Sequence, residues 1–103
     1  MKTSGGKPVR VDLNTAEGIG LAALGFLAED MARLGHFLSL TGLGPDELRA
    51  EAGSPRMLAA VLEHLLGDEA LLLSFTANCG YAPDNVVPAW DALVYEAARA
   101  GRS

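Results

Sequence analysis

The chain is expected to fold as an all-α protein, a compact bundle of five to six helices. Three observations carry that expectation. Apolar residues recur at helical spacing through most of the sequence, and Asn, Asp, Ser, Gly and Pro fall at the borders of those segments, where helices start and stop. The period-2 alternation of a strand is confined to Val9-Arg10-Val11.

Asn14 followed by Glu17 has the form of a capping box and places the first helix near Thr15 to Glu29. Ile19, Ala23, Phe26 and Leu27 line one face, with Leu21, Leu24 and Ala28 opposite, a two-sided pattern that suits a central helix or one with a partner. Gly18, Ala22 and Gly25 make a smooth stripe at i, i+4 and i+7, where another helix of the same chain is expected to approach closely. Asp30 is positioned to cap a second helix over Met31 to Thr41, with Met31, Leu34, Phe37 and Leu38 inward and Gly42 as its stop.

Pro45 then sits at a first helical position, with Asp46 and Glu47 where the helix dipole favours acids, so a short third helix should run to Ala52 and stop at Gly53. Ser54-Pro55 repeats the start signal for a fourth helix carrying Leu58, Val61, Leu62, Leu65 and Leu66 on one face and ending at Gly67. Asp68 caps the fifth, where Leu71, Phe75 and Cys79 form a core stripe beside Leu72, and Gly80 closes it. The last helix begins after Asn85 rather than at Pro83, because Pro88 is tolerated in a first turn and breaks a hydrogen bond further in. Val86, Val87, Trp90, Leu93, Val94 and Ala97 should face its core.

Of the 103 residues, 1–13 are expected to be a flexible basic tail and 14–100 a single helical domain. Lys2, Lys7 and Arg10 have no acid among them, whereas the 13 acids of the body meet only Arg33, Arg49 and Arg56 before Arg99. A body of that sign repels phosphates, which disfavours nucleic acid as a partner. The longest charge-free stretch, Ala70 to Pro83, is too short and too polar to span a bilayer. Gly18 to Ala28 resembles a signal peptide only superficially, since Asp12 and Glu17 precede it and Glu29-Asp30 follow. No membrane is therefore expected as a partner, and a cytoplasmic location fits the single cysteine.

Shifting the sequence by 38 positions lays Ile19 to Leu48 over Met57 to Val86, and ten of the thirty pairs are identical. Asp30/Asp68, Phe37/Phe75, Gly42/Gly80 and Pro45/Pro83 are among them, so caps and core positions coincide. This internal repeat of 38 residues predicts two related helical hairpins packed with approximate two-fold symmetry. Two helical hairpins built independently from the same capping rules would also look somewhat alike.

Chemistry-bearing residues are few. Asp30 and Asp68, with Glu29, Glu69, His36 and His64, suggest a carboxylate-bridged metal pair, but neither histidine follows a glutamate by three residues and capping already explains both aspartates. No metal and no cofactor are expected. His36 falls on a polar face with Ser39, and His64 lies at the rim of an apolar arc, the one weak candidate for a ligand site. No nucleophile is placed beside it by spacing, so the chain leans away from an enzyme. Cys79 reads as an inert core residue. Gly18-Ile19-Gly20 lacks the spacing of a phosphate loop. Asp46 to Ala52 and Arg56 to Leu66 around Gly53-Ser54-Pro55 have the outline of a helix-turn-helix, yet Arg56, Glu63 and His64 are poor chemistry for a DNA groove. On the last helix, Asp91, Tyr95 and Arg99 form an i, i+4 ladder, and Leu21, Leu24, Tyr95 and Arg99 are the candidate interaction surface.

Phe26-Leu-Ala-Glu-Asp30 with Arg33-Leu34, then Leu40-Thr-Gly-Leu43 with Pro45-Asp46-Glu-Leu-Arg49, and Asp68-Glu-Ala-Leu-Leu-Leu-Ser-Phe75 resemble the small alphaproteobacterial domain-of-unknown-function family numbered thirty-five seventy-two. The resemblance spans about Ala16 to Leu93 and implies no catalytic or binding residues. The expected function is that of a non-enzymatic interaction or regulatory module whose partner is another protein or a second copy, with a ligand-binding or catalytic domain near His64 as the alternative and a helix-turn-helix DNA-binding protein as a weaker one.

Overall fold

The computed structural model describes residues 10–101, and within them six α-helices and no strand are present. They are α1 (Leu13–Ala28), α2 (Met31–Thr41), α3 (Pro45–Glu51), α4 (Pro55–Leu66), α5 (Glu69–Cys79) and α6 (Val86–Ala100), with the 3-10 turn Pro83–Asn85 leading into α6. Most of the expected basic tail, residues 1–9, lies outside the described residues. The short Val9-Arg10-Val11 alternation lies partly there too.

α1, α4 and α6 pack on one another and make the centre of the molecule; α2 leans on α1, and α5 on α4. The core they enclose is built from Ile19, Phe26 and Leu27 of α1, Leu58, Val61, Leu62 and Leu65 of α4, and Val86 and Leu93 of α6, with Phe37 and Phe75 reaching in from the outer helices. Small side chains set how closely the helices meet: Ala16, Ala23, Ala59 and Ala89 are all buried. The closest approach is at Gly20, where a Cβ would stand 2.9 Å from the Cβ of Leu58.

That approach corrects one expectation. Gly18 and Gly25 have nothing within 4 Å of where a Cβ would be, so the Gly18/Ala22/Gly25 stripe is not the seat of a neighbouring helix, and Gly20 is. The buried face of α1 is centred on Ala23, which turns Gly18 and Gly25 to solvent.

The start of α1 also differs. Asp12, in extended backbone, accepts from the Thr15 amide at 2.7 Å, a bond that holds its carboxyl below the usual value. Asn14 is an exposed residue of the first turn. The cap falls two residues early because Val11 and Leu13 both pack against the core, which fixes the chain before Asn14 is reached.

The outer helices carry the expected caps. The Asp30 carboxylate accepts from Ala32 and Arg33 amides, Asp68 from the Leu71 amide, and Gly42 and Gly80 close α2 and α5 in the left-handed conformation, at φ 76° and 77°. The Gly44 amide donates to the Glu47 carboxylate at 3.0 Å at the head of α3, and the Ser54 hydroxyl accepts from Met57 at the head of α4. Arg33 bonds the Phe26 carbonyl at 2.6 Å, lies 4.0 Å above the Phe26 ring and faces Asp30, fastening the α1–α2 corner.

Four inward assignments fail, for three physical reasons. Met31 is 86% exposed, since α2 turns Phe37 to the core and Met31 lies past Leu34 and Leu38 at the rim. Cys79 is exposed although its angular position is right, because the last turn of α5 projects beyond the core that holds Phe75. Val87 and Val94 are exposed because α6 buries the line through Val86, Ala89 and Leu93, and each lies one residue, about 100° of helix rotation, past a residue of that line.

Candidate functional site

The weak ligand-site candidate, His64, belongs to the third turn of α4. The turns before it place Leu58, Val61, Leu62 and Leu65 inward, which leaves His64 half-buried at the edge of the core. The Phe37 ring meets it edge-on, 5.2 Å between centroids. On its other side stands His36 of α2, 5.7 Å away with the rings inclined by 57°. His36 is exposed as expected, yet it is not alone: the two histidines share one crevice.

That crevice is open and about 510 Å³ in volume, lined by His36 and Leu40 of α2, Glu63, His64 and Gly67 at the end of α4, and Asp68 and Glu69 at the start of α5. Three carboxylates and no basic side chain therefore surround the pair. The Nε2 atom of His64 is shielded from solvent and has no hydrogen-bond partner within the protein. Burial pushes the His64 imidazole below its ordinary value, His36 adds to the shift, and Asp68 opposes it. Among the described residues no Ser, Thr or Cys side chain hydrogen-bonds to either ring, and no three His, Cys, Asp or Glu side chains converge in a way that would hold a metal ion.

The last turn of α4 separates this crevice from a second hollow, because Glu63 and Gly67 line both. Leu66, Val87 and Trp90 form the apolar wall of the second hollow, and the Trp90 Nε1–H is buried without an acceptor. Around the outside of α6, Arg10, Val11, Pro88, Asp91, Ala92 and Tyr95 line a shallower depression.

The expected interaction residues are scattered over two helices. Leu21 is 50% exposed on the outer side of α1, and Leu24 is half-buried. Tyr95 is 68% exposed on α6. Arg99 does not continue a ladder from Asp91; it pairs through two bonds with Glu96, three residues before it, and that carboxylate strengthens its hold on its proton. Glu96 is the more buried member of that pair. The pairing of His36 with His64, by contrast, has no sequence signal. It depends on how α3 returns the chain, and spacing along one helix says nothing about that.

A small all-α globule with an acid-rimmed histidine crevice and an apolar hollow beside it is the class that fold and surface define. Residues 13–95 match the family described as Protein of unknown function (DUF3572), and the chain belongs to that family. No curated protein and no solved structure matches it.

Proposed function

We propose that the chain is a non-enzymatic protein-interaction module whose α6 outer face receives an apolar, basic helical segment of another protein. The observation that carries the reading is the clustering of exposed apolar side chains on one element. Val87, Val94 and Tyr95 fall at i, i+7 and i+8 along α6, beside the hollow in which the Trp90 indole N–H awaits an acceptor. Aromatic anchors at the rim of an apolar groove are what helix-in-groove recognition uses.

Charge favours a partner of another kind over a second copy. The chain holds 13 acids against eight lysines and arginines, a net of −5, so two copies repel while a basic segment is drawn in. The helix-turn-helix alternative is weakened by what α4 leaves outward: Arg56 and Glu63 are exposed, one base and one acid, which offer little to phosphates or base edges.

The test is capture from a native cell extract by the tagged chain and by its Val94→Asp variant, eluted along a salt series. One protein recovered in stoichiometric amount, released as salt rises and missing from the variant, is the expected result. Identical captures by both forms would overturn the reading. So would a dimer of the wild type in analytical ultracentrifugation that Val94→Asp dissociates, since the occupant would then be a second copy.

A further inference from the structure

We propose that His36 and His64 together bind a divalent transition-metal ion of the zinc, nickel or copper kind at the mouth of the crevice between α2 and α4. The inference is independent of the α6 face. Metal–nitrogen bonds of about 2.0–2.1 Å place the ring centroids of two imidazoles on one ion roughly 5–6 Å apart. The two rings stand 5.7 Å apart, and no hydrogen bond joins them.

The His64 Nε2 has no hydrogen-bond partner within the protein, and the His36 ring stands 5.7 Å from the His64 ring. Imidazole nitrogen is the donor that selects this group of metals. Glu63, Asp68 and Glu69 line the same crevice without a cation, so a positive ion enters a favourable field. The Asp68 carboxylate stays engaged with the Leu71 amide and acts on the ion through that field.

No third protein ligand converges among the described residues. The remaining coordination positions therefore belong to water, and the site is an exchangeable one that the fold does not need. That sets it apart from the structural zinc of small domains, whose folding depends on the metal.

The test titrates the full chain with zinc chloride at pH 7.5, followed by isothermal calorimetry and by amide NMR, with magnesium chloride as control. One zinc per chain is expected, with shifts centred on His36, His64 and Glu63, and no response to magnesium. His36→Asn should weaken binding by about tenfold or more, as should His64→Gln. His36 is exposed, so its variant keeps the fold, which circular dichroism verifies. Absence of saturable zinc binding by the wild type would overturn the proposal, and so would binding that both variants retain in full, which would place the ion elsewhere.

Discussion

The central helices and the outer ones are held by different physics. In α4, six side chains are buried and its neighbours α1 and α6 cover it on two sides, so its place is fixed by packing. α2 buries Phe37 alone, and α5 buries Phe75 and Thr76, yet each is bounded by an aspartate at its head and a left-handed glycine at its tail. Packing specifies the middle and local hydrogen bonding specifies the edge. Of the two candidate surfaces, the histidine crevice lies where these regimes meet, between α2 and α4, and the apolar hollow lies within the packed middle, between α4 and α6.

The comparison is broken most severely at Leu62, which is fully buried on α4. Leu62→Ala should cost about 2–5 kcal/mol in urea unfolding, and a loss no greater than that of a surface change would mean that the central trio is not the source of stability. Gly20→Ala should destabilise by about 1–3 kcal/mol, because its Cβ has to displace Leu58.

Asp30→Ala and Asp68→Ala should each cost about 1 kcal/mol. They should lower the helical signal of the outer helices with little effect on the near-ultraviolet signal of Trp90.

In contrast to Gly20, Gly25→Ala on the open side of α1 should raise stability by about 0.5–1 kcal/mol, since it adds helix propensity where a Cβ meets nothing. Equal effects of the two glycine substitutions in thermal melts would contradict the assignment of the α1 faces.

The smallest effect concerns pH. His64 has a folded value below its ordinary 6.5, so the unfolded chain binds the proton more readily. Its contribution is complete above about pH 6.5 and is lost as pH falls through that range. His64→Gln should flatten this part of the stability profile measured from pH 5 to 8.

The division between packing and capping also explains what could be read from the sequence. Asp30, Gly42, Asp68 and Gly80 act on residues two to four positions away, so their roles were legible, as were the starts at Pro45, Pro55 and Val86. Packing faces were legible on α4, where large apolar residues crowd one side. They were misread on α6, where Ala89 is buried and the larger Val87 is exposed, and on α1, where one of several glycines makes the close contact. Size decides which residue looks like core in a sequence, while the distance between helices decides which residue is core. Of the candidate surfaces, Tyr95 and His64 were found from helix position, but the approach of His36 to His64 follows from tertiary placement alone. Of the pairs aligned at a shift of 38 residues, Asp30 and Asp68 both cap, Gly42 and Gly80 both close a helix, and Phe37 and Phe75 are both fully buried; α3 stands where the second half has the 3-10 turn at Pro83–Asn85, and an internal repeat is not shown.

Native-state hydrogen exchange tests most directly the claim that a packed trio carries capped outer helices. Amides of α1, α4 and α6 should exchange only through global unfolding, and those of α2 and α5 through openings of lower free energy that Asp30→Ala and Asp68→Ala make more frequent. Uniform protection across all the helices, or slowest exchange in α2 and α5, would contradict it.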